Sequence, residues 1–433
     1  MLRIDRGTFI AGSAAIDLTG AAKPGRAPNV IFIVADDLGY GDLSHYGRTE
    51  YQTPHIDSIG RDGCTLSEGY ANSSVCSPTR IALATGRYQY RLRGGLDEPI
   101  GGGKEPVGLP PDHPTIASML RAQGYRTSLV GKWHMGSLPD YGPLKSGYDH
   151  FFGIHGGGVD YFSHTGAMDG QGPSDLYNGE ALSNRHGYLT DLLTECAVEQ
   201  IQQAAEGDKP LFLSLHYTAP HWPWEGLEDE DISKSLKSLL HYDGGSASIF
   251  AQMVIALDEG IGRVLAALEK YEMAENTIVV FTSDNGGERF SKNWPFDGMK
   301  GDLLEGGIRV PLLVRWPARI PAGSRSAQVT LSMDFVPTFL ATAGAVPDPH
   351  YPSDGMNILP MLEGAPPAER TVFWRYKAGE QAAVRQGDWK MLRVNGHSYL
   401  FNLADDMTAF RNSLPKTRRS GSSNIVAILS PAS

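Results

Sequence analysis

Short apolar strands alternate with amphipathic helices along most of this 433-residue chain, and this alternation constrains its fold more than any other feature. Residues 30–34 read VIFIV, a continuous apolar run typical of a central strand covered on both faces. Further strand-like runs cover 125–130, 211–217, 277–282 and 310–316, and helical patterns cover 114–124, 190–206, 249–268 and 334–343. The alternation predicts an α/β fold with a large, mostly parallel sheet and helices on both faces.

The pattern changes after about residue 366. Short strands follow in close succession at 372–376, 382–385, 389–394 and 398–402, which predicts a small antiparallel sheet. With Pro366 and Pro367 as a joint, we expect a main domain over 28–366 and a C-terminal antiparallel subdomain over 367–433. The last segment of that subdomain is basic and serine-rich, and we expect it to be poorly ordered.

Residues 1–27 precede the regular pattern and allow two interpretations. Basic residues come first and a short apolar stretch follows, with Arg6 and Phe9 placed as in a degraded twin-arginine signal. Asp17 cuts the apolar stretch short. A signal would make the protein periplasmic or secreted, whereas a disordered leader would leave it cytoplasmic.

Composition excludes several classes of protein. The net charge is -11, which argues against nucleic acid as a partner because phosphate neutralisation needs a basic surface. The three cysteines, Cys64, Cys76 and Cys196, are too few for a disulfide scaffold. Since no run of eighteen apolar residues occurs in the sequence, we expect no membrane span.

Two predicted strands are followed by side chains that carry hard oxygen ligands. Asp36 and Asp37 follow the first strand, and Asp284 and Asn285 follow the strand at 277–282. Each pair taken alone is more typical of a turn. Ligand sites in open α/β sheets form beyond the carboxyl ends of the strands, however, and three carboxylates brought together there would repel without a cation. An oxygen-only set favours calcium or magnesium over zinc.

The segment around Cys76 carries the most specific motif. A buried free cysteine before a helix is one interpretation of it. The spacing of Cys76, Pro78 and Arg80, however, resembles the site at which the sulfatase family oxidises a cysteine to formylglycine. Other stretches similar to that family occur in the family's order at 34–42, 124–134, 219–221, 281–286 and 300–307.

The chain is therefore identified as a member of the sulfatase family, in the alkaline phosphatase-like superfamily. The segments 147–153 and 159–164 resemble the branch that contains arylsulfatases and N-acetylgalactosamine-4-sulfatase. Residues 28–366 would then be the catalytic domain. The resemblance implies hydrolysis of aryl or carbohydrate sulfates, and it implies a maturase as the partner that oxidises Cys76.

The resemblance also implies a role for each matching residue. One calcium ion would be held by four oxygen-bearing side chains, Asp36, Asp37, Asp284 and Asn285. Cys76, as the hydrated aldehyde, would be both metal ligand and nucleophile, and Arg80 would hold the hydrate. The groups that clasp the sulfate and move protons match Lys132, His134, His221 and Lys300.

The chemistry suggests how these groups divide the work. One hydroxyl of the aldehyde hydrate attacks sulfur, and deprotonation of the other expels sulfate. His134 is the candidate base for that second step. His221, with Lys300 nearby, is the candidate acid for the leaving oxygen, because imidazole titrates near working pH.

Two other functions remain open from the sequence. A phosphonate monoester or phosphodiester hydrolase would share the Cys-x-Pro-x-Arg core, because sulfate and phosphate esters differ mainly in charge. A catalytically silent binding protein would result if Cys76 were never oxidised. At Gly156–Gly158 the chain has only glycine where relatives often carry a polar residue near the sulfate.

Overall fold

The structure is a computed structural model that describes residues 27–101, 106–166, 172–238 and 244–406. The leader expected at 1–27 lies outside the described residues except for Ala27. The basic tail from residue 407 onward, expected to be poorly ordered, lies outside them as well.

The described residues form strands and α-helices in an alternating order over most of the chain. The strands are β1 (Asn29–Ala35), β2 (Cys64–Leu66), β3 (Gly69–Tyr70), β4 (Arg126–Lys132), β5 (His150–Ile154), β6 (Leu176–Asn178), β7 (Ala181–Leu182), β8 (Leu211–His216), β9 (Thr277–Ser283), β10 (Leu312–Arg315), β11 (Ser324–Ser326), β12 (Thr330–Leu331), β13 (Thr371–Tyr376), β14 (Gln381–Gln386), β15 (Trp389–Val394) and β16 (His397–Asn402). The helices are α1 (Pro54–Arg61), α2 (Cys76–Thr85), α3 (Ile116–Ala122), α4 (Leu189–Ala205), α5 (Glu230–Ser233), α6 (Ala247–Lys270), α7 (Glu305–Ile308), α8 (Phe335–Thr342) and α9 (Leu359–Leu362).

Ten of the described strands form one sheet, in the order β11-β2-β10-β9-β1-β8-β4-β5-β6-β7. The central strands β9, β1, β8, β4 and β5 run parallel to one another, and β10 pairs antiparallel with β9. The predicted α/β fold with a large, mostly parallel sheet is confirmed. All the carboxyl ends of the five parallel strands therefore meet at one edge of the sheet.

Strand β1 shows why the sheet needs helices on both faces. All seven of its residues are buried. Ile31 and Ile33 join the hydrophobic core that includes residues of α1, α4 and α6, whereas Phe32 and Val34 join the core that includes residues of α2, α3 and α8. Because successive strand side chains point to opposite faces, a continuous apolar run buries both.

The predicted helices lie close to the observed ones, with one difference at α3. Pro114 was expected in the first turn, but the helix begins at Ile116 with Thr115 as its N-cap. The Thr115 hydroxyl accepts a hydrogen bond from the Ser118 amide at 3.0 Å, which satisfies an otherwise unpaired N–H of the first turn. Pro114 therefore lies just outside the helix. Gly124 follows the helix with a positive φ of 86°, as expected for a terminating glycine.

The C-terminal strands form a separate antiparallel sheet in the order β13-β14-β15-β16, as predicted. One face of this sheet packs on the main body of the protein. The Trp374 indole N–H donates to the Ala71 carbonyl at 2.9 Å, and the buried Lys390 ammonium lies 2.7 Å from Glu305. The C-terminal sheet is thus joined to the main body by buried polar contacts as well as by the chain.

Membrane insertion through a helix finds no support in the described part of the chain. None of its helices combines the length and the apolar character that a membrane span requires.

Candidate active site

Parallel pairing brings together the two oxygen-rich segments that follow β1 and β9. Ala35 pairs with Ser283 at the ends of these strands, so the next residues of each lie side by side. The Asn285 side-chain amide donates to Asp37 Oδ1 at 2.7 Å, and the Asp37 backbone N–H donates to Asp284 Oδ1 at 3.3 Å. Asp37 has a positive φ of 62°, a strained conformation held here by its neighbours.

The neighbouring strands β8 and β4 supply basic side chains to the same edge. Lys132 is the last residue of β4, and its ammonium lies 2.5 Å from Asp36 Oδ2 with both side chains fully buried. His221 follows β8, and its Nε2 lies 3.6 Å from Asp37 Oδ2. Lys300, from the segment after β9, donates to the same Asp37 oxygen at 2.6 Å.

Cys76 is the first residue of α2, so it occupies a helix N-terminus, as expected. Its Sγ lies 4.0 Å from Asp37 Oδ1. Burial raises the pKa of the Cys76 thiol well above its ordinary value, against the opposing effect of Lys132. Because the thiolate is the reactive form of cysteine, the unmodified side chain is a poor nucleophile in this position.

Arg80 lies one helical turn beyond Cys76 and is fully buried. Its guanidinium donates to Asp284 Oδ2 at 2.7 and 3.0 Å and to the Lys132 carbonyl at 2.9 Å. Arg80 therefore links α2 to the ends of β9 and β4, which fixes the position of Cys76 relative to the carboxylates.

The oxygens at this edge fit a hard cation. Asp36 Oδ1 and Asn285 Oδ1 are buried and have no hydrogen-bond partner among the described residues, an arrangement that is costly unless a ligand satisfies them. Burial, with the neighbouring Asp284 as a second cause, raises the pKa of Asp36 to about 8 against the opposing effect of Lys132. The Asn285 amide already donates through Nδ2, so its oxygen is free to coordinate.

Distances alone also group a slightly different set of possible metal ligands. Ligand atoms of Asp36, Asp37, Cys76 and His221 all lie within 4.8 Å of one another. His221 was expected as a proton donor and not as a metal ligand. A hard ion would take oxygen in preference to imidazole nitrogen, so the chemistry of calcium favours the oxygen set.

A cavity of 470 Å³ opens onto Cys76. His134, His221, Lys300 and Trp222 line it together with Gly156–Gly158. A Cβ at Gly157 would stand 2.6 Å from the His134 ring, and one at Gly158 would stand 3.0 Å from the His221 ring. The glycine run therefore has a packing reason: the two histidine rings lie against a wall without side chains.

The environment of both histidines favours the neutral imidazole. Burial, reinforced by Lys132 for His134 and by Lys300 for His221, holds the pKa of each imidazole well below its ordinary value. His221 Nδ1 lies 2.6 Å from the Trp222 carbonyl, and His134 Nε2 lies 2.9 Å from the Ile100 carbonyl. Because a carbonyl only accepts, those nitrogens carry the protons. His134 Nδ1 has no partner among the described residues, so it can accept one.

The structure thus brings together every residue singled out in the sequence: Asp36, Asp37, Cys76, Arg80, Lys132, His134, His221, Asp284, Asn285 and Lys300. Two polar residues, one lining the cavity and one next to it, were missed. His155 directly follows β5, and the rule that sites form at carboxyl ends of strands would have found it. Asp175, whose Oδ2 accepts from the Gly156 amide at 2.7 Å, carries no comparable signal in the sequence.

Family profiles match nearly the whole described chain. The profile of the sulfatase family matches residues 28–345, and the profile described as N-sulphoglucosamine sulphohydrolase, C-terminal, matches residues 296–417. N-acetylgalactosamine-6-sulfatase of Canis lupus familiaris is 30% identical over 415 residues, covering 88% of this chain and 74% of that protein.

Solved structures share the fold over nearly the whole chain. The crystal structure of Ps i-CgsB in complex with k-i-k-neocarrahexaose has a TM-score of 0.83 and 33% identity, covering 93% of this chain and 92% of that one. Phosphonate monoester hydrolase of Agrobacterium radiobacter has a TM-score of 0.65 and 20% identity, covering 93% of this chain and 94% of that one. The second likeness shows a shared fold.

Proposed function

The chain belongs to the sulfatase family and is a sulfuric ester hydrolase, and from this premise we propose that it hydrolyses carbohydrate sulfates at the site around Cys76. The proposal includes oxidation of Cys76 to formylglycine by a maturase and one bound calcium ion. The observation that carries it is the convergence of four oxygen-bearing side chains and four basic groups at the sheet edge where a cavity opens onto Cys76.

Calcium would be held by Asp36, Asp37, Asp284 and Asn285. When bound, it supplies positive charge that stabilises anionic oxygens of the ester. The support for this set is the pair of buried oxygens on Asp36 and Asn285 that have no hydrogen-bond partner in the described part of the chain.

Formylglycine at position 76, when present, supplies a hydrated aldehyde as the nucleophile. The residues around it would stabilise charge and transfer protons. Lys132 contacts Asp36 and Lys300 contacts Asp37, and both lysines would stabilise sulfate oxygens as charge develops on them. His134 would accept a proton at its unpaired Nδ1.

His221 would assist the leaving oxygen through Nε2, which faces the site while Nδ1 is held by the Trp222 carbonyl. As a neutral imidazole it must first take up a proton before it can act as an acid. The neighbouring Asp37 favours that uptake, and Lys300 opposes it.

Three broader proposals accompany this one. Residues 28–366 form the catalytic domain, with 367–433 as a C-terminal subdomain. The segment 1–27 is a signal, and the protein acts in the periplasm or outside the cell; fractionation of cells and analysis of the mature N-terminus would test this. A sugar substrate is supported by the complex of Ps i-CgsB with an oligosaccharide.

The alternative activity is hydrolysis of phosphonate monoesters or phosphodiesters, since a phosphonate monoester hydrolase shares the fold. The matured enzyme should be assayed on 4-nitrophenyl sulfate, a sugar sulfate, a phenyl phosphonate monoester and a phosphate diester. The proposal expects the highest kcat/KM on sulfate esters. Highest activity on the phosphorus esters would favour the alternative, and a Cys76 that stays unoxidised and inactive in the presence of the maturase would favour a silent binding protein.

A further inference from the structure

Glu225 is a fully buried acid on the segment that follows β8, four residues beyond His221. Its Oε2 accepts a hydrogen bond from the Tyr161 amide at 2.9 Å. Its Oε1 is also buried, and no N–H or hydroxyl group of the described residues donates to it. A buried carboxylate oxygen without a donor is costly, so the charged form of Glu225 does not suit this position.

The neighbour of this carboxyl is a second acid, Asp160. The side chains of Glu225 and Asp160 are hydrogen-bonded to each other. Two ionised carboxylates cannot form such a bond, because an ionised carboxylate only accepts. One member of the pair must therefore carry a proton.

The donors around Asp160 indicate which member is charged. Asp160 Oδ1 accepts from the Phe162 amide at 2.9 Å and from the Ser163 amide at 2.6 Å. The Ser233 hydroxyl donates to the same oxygen at 2.8 Å. Burial would raise the pKa of Asp160, but the hydrogen bonds from Ser163 and Phe162 outweigh it and lower the pKa. Asp160 is thus the ionised member, and the proton resides on Glu225.

Other groups around Glu225 also favour its neutral form. Burial, together with the charges of Asp160 and Asp229, raises the pKa of Glu225 to about 9. The hydroxyls of Tyr161 and Tyr188 face it as well, and burial raises the pKa of both phenols above the ordinary value. None of these four groups brings a positive charge that would favour an ionised Glu225.

The same contacts hold the segment that carries His221 and Trp222 into the cavity. The Tyr161 hydroxyl donates to the His221 carbonyl at 3.0 Å, and the Tyr188 hydroxyl donates to the Glu225 carbonyl at 2.8 Å. The two tyrosine rings stack with their centroids 5.3 Å apart. Tyr161 therefore connects the Glu225 carboxyl, through its amide, with the His221 backbone, through its hydroxyl.

We propose that Glu225 is a positioning residue that acts as a neutral carboxylic acid: it donates a hydrogen bond to Asp160 and so fixes the segment that carries His221. Loss of its proton leaves two carboxylates facing each other in a buried place. Their repulsion displaces the segment, and hydrolysis slows at alkaline pH. The effect on the rate rests on the proposed function, whereas the proton on Glu225 does not.

Glu225→Gln reproduces the neutral acid, because an amide both donates and accepts and does not ionise. The variant should keep most of the wild-type kcat/KM on a sugar sulfate at pH 7. Above pH 9 the wild type should lose activity as Glu225 ionises, so the variant should exceed it by about ten-fold at pH 10. All other titrating groups are common to both proteins and cancel in this ratio. Glu225→Leu removes the donor and should lower kcat by up to about 10²-fold at pH 7.

Glu228→Gln is the matched control. Glu228 is exposed and lies three residues further along the same segment, so its variant should follow the pH profile of the wild type. A Glu225→Gln variant with the wild-type pH profile would overturn the inference. A loss at pH 7 as large as that of Glu225→Leu, or an unchanged kcat in Glu225→Leu, would also overturn it.

Stability tests the proton without an assay of activity. A carboxyl whose pKa rises on folding from 4.5 to about 9 stabilises the fold fully below pH 4.5, and this contribution is lost as the pH rises toward 9. Glutamine suffers no such loss, so the denaturant midpoint of Glu225→Gln should rise relative to that of the wild type between pH 5 and pH 8. A midpoint difference that stays constant would refute the proton on Glu225. The expected rise in a protein that hydrolyses no sulfate ester would support the proton and contradict only the proposed function.

Discussion

Among single residues, Asp37 links the oxygen-bearing and the basic side chains of the candidate site. It accepts hydrogen bonds from Asn285 and Lys300 and lies beside Cys76 and His221. Burial disfavours its charge, but Lys300 and His221 outweigh burial and lower its pKa. The charged form of Asp37 is therefore favoured, and its carboxylate contacts both the oxygen-bearing side chains and the basic side chains of the site.

Asp37→Ala should weaken calcium binding and sulfate hydrolysis together. The remaining carboxylates lose part of the charge that attracts the ion, and loss of a ligand should cost more than the roughly 10–100-fold that loss of an outer partner costs. Calcium titration followed by elemental analysis measures the first effect. The control is Asp62→Ala, at a half-exposed position away from the candidate site. Full activity after exhaustive chelation would contradict the calcium site.

His221→Ala should reduce activity most on substrates with strongly basic leaving groups. General acid assistance is worth about 10²–10⁴-fold, and nitrophenolate needs little of it. We therefore expect a much larger fall in kcat/KM on sugar or alkyl sulfates than on 4-nitrophenyl sulfate, whereas His350→Ala at an exposed site should change neither. Equal losses on both kinds of substrate would remove His221 from the acid role.

At the scale of elements, Gln381 connects the C-terminal sheet to the segment that carries Lys300. Its side chain donates to the Gly301 carbonyl at 2.8 Å and accepts from the Leu303 amide at 2.8 Å. The Lys300 amide in turn donates to the Gly287 carbonyl at 3.1 Å. Strand β14, through Gln381, thus fixes the backbone that follows Lys300. We therefore regard Gln381 as a positioning residue for Lys300.

Gln381→Met keeps the length of the side chain and removes both hydrogen bonds. A small displacement of a positioned group can cost as much as about 10²-fold in rate, so kcat should fall while KM and the unfolding temperature change little. Gln381→Glu keeps the acceptor for Leu303 and should restore part of the rate. Unchanged kcat in Gln381→Met, or a loss explained by unfolding alone, would contradict the positioning role.

Elements were the part of the structure that the sequence predicted best. Periodicity located β1, β4, β8 and β9, and the order of the parallel strands brought their polar ends together. Contacts between distant segments were not predictable in this way. Two examples are the hydrogen bond from Gln381 to Gly301 and the packing of the histidine rings against Gly157 and Gly158. Such contacts depend on side-chain packing, which leaves no periodic signal in the sequence.

In the molecule as a whole, Glu305 is one of the buried links between the main body and the C-terminal sheet. It is fully buried and accepts hydrogen bonds from Lys390 at 2.7 Å, Arg309 at 3.2 Å and the Tyr70 hydroxyl at 2.6 Å. Burial alone would raise the pKa of Glu305, but Lys390 and Arg309 outweigh it and lower the pKa from 4.5 to about 2.

Glu305→Gln should destabilise the protein by about 3–5 kcal/mol at neutral pH, because it leaves Lys390 buried without its counter-charge. A depressed carboxyl pKa stabilises the fold fully above the unfolded value of 4.5, and that contribution is lost as the pH falls toward about 2. The difference in denaturant midpoint between wild type and variant should therefore narrow below pH 4.5. The control is Glu269→Gln, which breaks an ion pair in which Glu269 is largely exposed and should cost at most about 1 kcal/mol of stability. A stability difference for Glu305→Gln that does not change with pH would contradict the lowered pKa of Glu305.

Sulfate hydrolysis by this protein should depend on an aldehyde made from Cys76. The most direct measurement is mass spectrometry of the peptide containing residue 76, taken from enzyme whose turnover of 4-nitrophenyl sulfate has been measured in the same preparation. We predict formylglycine at position 76, with activity in proportion to the modified fraction across preparations made with and without the maturase. An unmodified Cys76 thiol in fully active enzyme would contradict it.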